Sequence, residues 1–139
     1  MADIFTKEKR SQVMSAIRSV GNKSTEMKLL RIFRANRISG WRRHAKLAGR
    51  PDFYFSQSRV AIFVDGCFWH GCPKCGHIPK SRSDFWRFKI ERNKKRDLKN
   101  TRALKKAGVM VVRIWEHDLK GPRHTARILL RIHNKITRP

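Results

Sequence analysis

The sequence predicts an α/β fold, a mixed central sheet flanked by helices on both faces. Three observations carry this. The hydrophobic pattern changes period along the chain in the order helix, helix, strand, strand, helix, strand, helix. Residues 60–64, VAIFV, are an unbroken apolar run, as expected of a strand buried on both faces. Residues 109–115 form a further strong strand beyond a long helical stretch.

Residues 6–19 read as an amphipathic helix, with Val13, Met14 and Ile17 apolar and Lys7, Lys9, Arg10 and Arg18 polar. Val20-Gly21-Asn22 ends it. Ser24 or Thr25 caps a second helix that runs to about residue 36. Glu26 in its first turn suits the helix dipole, and Leu29, Leu30 and Phe33 supply its core face. A basic loop, Trp41-Arg42-Arg43-His44-Ala45-Lys46-Leu47, leads through Gly49-Arg50-Pro51 into a short strand at 52–55. Ser56-Gln57-Ser58 connects tightly to the apolar strand, and Gly66 allows a sharp exit. A cysteine-rich loop ends near Pro79. Ser83 and Asp84 then open a long helix to about residue 106, with Gly108 just past its end. Residues 117–122 form a loop and 125–136 a last helix. No repeat, linker or low-complexity tract divides the 139 residues, a length that suits one domain, 1–139.

Apolar residues make up 40% and charged residues 32%, which excludes a disordered chain. No apolar run approaches the roughly 20 residues of a membrane span, and the charged N-terminus lacks a signal peptide's apolar segment. The expectation is a cytoplasmic protein with no membrane partner. Lys+Arg total 34 against 10 Asp+Glu, a net charge of +24 spread along the chain. Such a field attracts polyanions, and nucleic acid is the expected partner, bound in a salt-dependent way.

Asp52, after Pro51 at the start of one strand, and Asp65, at the end of the next, fit the broad PD-(D/E)xK nuclease pattern, in which a hairpin gathers acids around magnesium. Cys67 falls where that pattern has lysine. His70 has the intrinsic pKa to take over its proton transfer, and Glu26 is placed to reach the same site from the second helix. Each acid has a plainer alternative: Asp52 and Asp65 as turn residues, Glu26 as dipole compensation.

Cys67, Cys72 and Cys75 supply three thiolates for a structural zinc, which wants four ligands. The fourth must be a histidine, and His70, His77 and His117 are candidates. His117, just after the third strand, would tie the loop to the sheet. Phe68 and Trp69 on this loop, and Trp86 at the start of the long helix, are placed to stack on bases or wedge between them. A small core under the zinc loop is the alternative.

Several segments together carry a resemblance. They are Arg10-Ser11-x-x-Met14-x-x-Ile17, Glu26, Gly49-Arg50-Pro51-Asp52-Phe53 and Ile62-Phe63-x-x-Gly66-Cys67-Phe68-Trp69-His70. Further on stand Arg82-x-x-Phe85-Trp86-x-x-Lys89-Ile90-x-x-Asn93-x-x-Arg96-Asp97 and Trp115-Glu116. In these the chain resembles the very-short-patch repair (Vsr-type) DNA mismatch endonucleases, from about residue 2 to 121. The resemblance implies a restriction-endonuclease-like fold and a nick in duplex DNA 5′ to the thymine of a T:G mismatch, where 5-methylcytosine has deaminated. It implies Asp52 as central magnesium ligand, His70 as proton carrier and Glu26 as supporting acid. Phe68, Trp69 and Trp86 would intercalate, with Met14 pushing from the opposite groove. Cys67, Cys72, Cys75 and His117 would hold a structural zinc. The chain departs from the family at Val64-Asp65, where a relative has threonine-histidine, at His117, often cysteine, and in the spacing of the zinc loop.

The sequence therefore reads as a magnesium-dependent, strand-nicking DNA endonuclease with a structural zinc, acting as a monomer and handing its product to downstream repair proteins. The other readings are a related restriction or homing-type nuclease and a non-catalytic zinc-containing DNA-binding protein.

Overall fold

A computed structural model describes residues 25–75 and 78–137. The elements are α1 (Glu26–Ala35), β1 (Trp41–Arg42), β2 (Phe53–Phe55), β3 (Val60–Asp65), α2 (Ser83–Lys106), β4 (Met110–Trp115), a 3-10 turn (Glu116–Leu119) and α3 (Pro122–Ile136). The expected helix at 6–19, with Met14, and the candidate ligand His77 lie outside the described residues.

The strands form one sheet in the order β1-β2-β3-β4. β2 and β3 pair antiparallel, and β3 and β4 pair parallel through the α2 crossover. The sheet is therefore mixed, as expected. β3 is buried along its whole length because it is covered on both faces. Val60, Ile62 and Val64 join Leu29, Leu30 and Phe33 of α1 and Ile128 and Ile132 of α3 in the main core. Ala61 and Phe63 face the other way, onto Leu104 of α2 and Val109.

α2 ends as its sequence requires. Val109 N–H donates to the Leu104 carbonyl at 2.9 Å and Gly108 N–H to Lys105 at 3.0 Å, a Schellman closure that Gly108 permits at φ +82°. α3 begins three residues earlier than expected, because Pro122 at the first helical position needs no N–H partner. β1 was not expected. Two residues carry no period, and Trp41 is held by packing: its ring lies 5.4 Å from Phe53 and 6.2 Å from Phe33, and its Nε1 donates to the Ile38 carbonyl.

Phe33 is the hub of this core, fully buried and edge-on to Phe53 at 5.0 Å. Phe33→Ala is expected to cost about 3–5 kcal/mol, read as a lowered urea midpoint with an unchanged slope.

Candidate active site

The site lies at the edge of the sheet where β2 begins and β3 and β4 end, and the strand register builds it. Asp65 pairs with Trp115, so Cys67 and His117, each two residues further on, emerge side by side. Phe53 pairs antiparallel with Ile62, so Asp52 arrives beside the end of β3.

Glu26, His44 and Asp52 form the first group, their ligand atoms all within 4.8 Å of one another. Asp52 accepts a hydrogen bond from the Val64 backbone N–H at 2.7 Å. Glu26 opens α1 and is buried; its Oε2 accepts from Arg43 Nη2 at 2.9 Å and lies 2.7 Å from His44 Nε2. His44 sits at φ +53°, a conformation that costs a non-glycine residue about 1–2 kcal/mol, and the contact with Glu26 offsets that strain. Burial pushes the Asp52 carboxyl up to about 6. That net value already includes the Val64 N–H and His44, which lower it, and the charges of Glu26 and Asp65, which raise it. Arg43 and His44 compensate Glu26, yet the charges of Glu26 and Asp65 still push the Asp52 carboxyl up, and a divalent cation beside it would offset them. Two carboxylates suit a hard ion such as magnesium, and the imidazole admits a transition ion as well. Such binding requires ionised Asp52. Metal affinity is therefore expected to fall about tenfold per pH unit below about pH 6 and to level off above it, as titration calorimetry across that range would show.

Asp65, His70 and Asp97 form the second group, again within 4.8 Å. Asp65, expected to share an ion with Asp52, stands in this group, with both oxygens accepting from Arg113 Nη1 at 2.9 and 3.1 Å. His70 Nδ1 is hydrogen-bonded to Asp97 Oδ2 and lies 3.7 Å from Asp65 Oδ1. Burial alone would lower the His70 pKa, but the Asp97 hydrogen bond and the two carboxylate charges prevail and hold it above its ordinary value.

Cys67, Cys72, Cys75 and His117 form the third group. The three sulfurs lie 3.4, 3.5 and 3.5 Å from His117 Nδ1. Zinc bonds of about 2.3 Å to sulfur and 2.0–2.1 Å to nitrogen, at tetrahedral angles, give a ligand edge of about 3.6 Å. The cluster is thus compatible with a zinc site. His117 Nε2 faces Asp118 Oδ1 at 3.4 Å, the carboxylate partner that metal-bound histidines commonly have. Of the two candidate histidines among the described residues, His117 stands in this group and His70 does not.

Phe68 and Trp69 are both half-buried, edge to face at 5.2 Å. They pack on Trp86 at 5.4 and 5.9 Å, and Trp86 itself is only 9% exposed. The two loop aromatics therefore form a platform with Trp86 beneath it. Asn93 of α2 donates to the Trp69 carbonyl at 2.9 Å and, with Lys89, Arg92 and Arg96, lines an adjoining basic cleft.

His44, Asp97 and Arg113 are site residues that sequence reasoning assigned no role. The available signal was Arg113, a lone charge within the apolar strand Val111-Val112-Arg113-Ile114, since a charge there needs a partner. Among the described residues no helix is long and apolar enough to cross a membrane.

Comparison with known proteins adds a family to this geometry. A family model described as DNA mismatch endonuclease Vsr matches residues 2–75. The chain is 44% identical over 124 residues to the type II nicking enzyme V.NmeAIP of Neisseria meningitidis serogroup A, covering 87% of this chain and 86% of the relative. It is 38% identical over 122 residues to the type II nicking enzyme V.XorIIP of Xanthomonas oryzae, covering 86% and 88%. It is 35% identical over 123 residues to the DNA mismatch endonuclease Vsr of Escherichia coli, covering 87% and 78%.

Proposed function

This chain belongs to the Vsr family of DNA mismatch endonucleases, and on that premise we propose that it nicks duplex DNA on the 5′ side of the thymine of a T:G mismatch. That lesion arises when 5-methylcytosine deaminates, and the nick opens very-short-patch repair. The observation that carries this reading is the meeting, at one sheet edge, of the Glu26–His44–Asp52 group with the His70–Asp97 pair, beside an aromatic platform and a basic cleft.

Asp52 and Glu26 would hold magnesium, with His44 beside them; the ion, when bound, polarises the phosphate and stabilises charge on the leaving oxygen. Asp97 fixes the tautomer and orientation of His70 through Nδ1, which leaves Nε2 to exchange a proton with the reacting phosphate. Phe68 and Trp69 stack at the mismatch while Trp86 supports them, and Met14 presses from the other groove. Lys89, Arg92 and Arg96 bind backbone phosphates. The zinc ligands do no chemistry; they hold the loop that carries Phe68, Trp69 and His70. The chain acts as a monomeric single domain in the bacterial cytosol, and repair proteins take up its product.

A second reading, strand nicking without need of a mismatch, is favoured by the relatives named type II nicking enzymes. The two are separated with duplexes labelled on either strand, carrying a central T:G pair in randomised context and incubated with magnesium. One cut, 5′ to the mismatched thymine, supports the proposal. Cuts at a fixed sequence without regard to the T:G pair support the second reading.

A further inference from the structure

Arg113 is the one charge within the apolar strand β4, and it contacts both acids of the group around His70. It stands directly opposite Phe63 in the sheet register, and its guanidinium lies 4.2 Å over that ring. Nη1 donates to both oxygens of Asp65 at 2.9 and 3.1 Å. Nε donates to Thr101 Oγ1 of α2 at 3.0 Å, and Nη2 donates to the Asp97 carbonyl at 3.3 Å. The same Nη2 lies 4.0 Å from Asp97 Oδ1.

One planar fork thus ties three elements together: β4, which bears it; β3, through Asp65; and α2, through Thr101 and Asp97. Asp65 and Asp97 flank His70. A guanidinium presents its donors in a fixed plane, so anchoring one edge sets the direction of the others. The two carboxylates converge on one imidazole in a partly buried space, where unpaired like charges would drive them apart. A cation between them removes that repulsion and fixes their separation.

Resting on the nuclease reading above, we propose that Arg113 is a positioning residue for His70. It holds Asp65 and Asp97 at the spacing that seats the imidazole and aims its Nε2 at the reacting phosphate. Asp65 then serves this brace and does not ligate the catalytic ion.

The test uses the full chain carrying Arg113→Met, Arg113→Lys or Thr101→Val. Three quantities are read: single-turnover nicking of a T:G duplex at saturating enzyme, affinity for that duplex without metal, and the nitrogen-15 and proton signals of the His70 ring. For Arg113→Met the rate is expected to fall on the order of 10–100-fold, the usual effect of losing a partner one step removed from the reacting groups. Affinity should hold and the Nδ1 proton signal should shift. Arg113→Lys keeps the charge without the fork and should recover part of the rate. Thr101→Val removes one anchor and should show a smaller loss of the same kind. Wild-type rates with an unchanged His70 signal overturn the proposal. So does a rate loss matched by an equal loss of duplex affinity. Should Arg113→Met fail to fold, the two milder variants decide by the same criteria. A wild-type chain that nicks no T:G duplex sinks the mismatch-nicking reading instead, and the His70 signal then still decides whether Arg113 seats the ring.

Discussion

Replacing Asp52 with alanine is expected to abolish magnesium-dependent nicking while duplex binding survives. The hairpin holds Asp52 in place, since its Oδ2 accepts the Val64 N–H at 2.7 Å beside Glu26 and His44. A catalytic ion stabilises developing charge by several kcal/mol, so its loss should lower the rate by about 10³-fold or more. DNA affinity should hold or rise slightly, because a negative charge leaves a basic surface. Asp52→Asn separates charge from shape. The folded-state pKa of Asp52 is raised from 3.8 to about 6. Its stabilising contribution is therefore complete below about pH 4 and is lost as pH rises through about 6. Metal-free Asp52→Asn should accordingly unfold at higher urea than wild type at neutral pH, and the difference should close in acid. An inactive Asp52→Asn protein that is also less stable at neutral pH would mean that Asp52 is a structural carboxylate, and the metal reading would fail.

The second large effect concerns the cysteine cluster. Removing zinc with a chelator, or substituting the buried Cys72 with serine, is expected to release the loop that carries Phe68, Trp69 and His70. Structural zinc contributes on the order of 10 kcal/mol of apparent binding free energy in small modules. Here the main core contains none of the ligands. The expected outcome is therefore selective: the far-ultraviolet spectrum persists while nicking is lost and duplex affinity weakens. The as-purified chain should contain one zinc ion. Full nicking after complete chelation, or a chain purified without zinc, would contradict this assignment.

Local chemistry made much of the molecule legible. α2 runs over Ser83–Lys106, with Asp84 in its first turn and Gly108 just past its end, and β3 announces itself as an apolar run. Asp52 and His70 stand in specific local strings. What stayed hidden depends on partners far apart. Arg113 meets Asp65 across 48 residues and His70 meets Asp97 across 27; no periodicity reports either pair. Asp52 and Asp65 looked equivalent because both sit at strand ends. Asp65, however, continues β3 on the side facing α2, whereas Asp52 lies just outside β2 against Glu26 and His44. Likewise, the cysteine spacing pointed to a metal site, but the placing of His117 beside the cysteines depends on the parallel register of β3 and β4.

The central claim is that this site cuts DNA at a T:G mismatch. Its most direct test is the single-turnover nicking rate, in magnesium, on two duplexes that differ only in a T:G or C:G pair, across a set of flanking contexts. The expected result is rapid cutting of the thymine strand in at least one T:G context and little or none in its C:G counterpart. Equal rates on both duplexes, or no cutting of any T:G duplex, would contradict the claim.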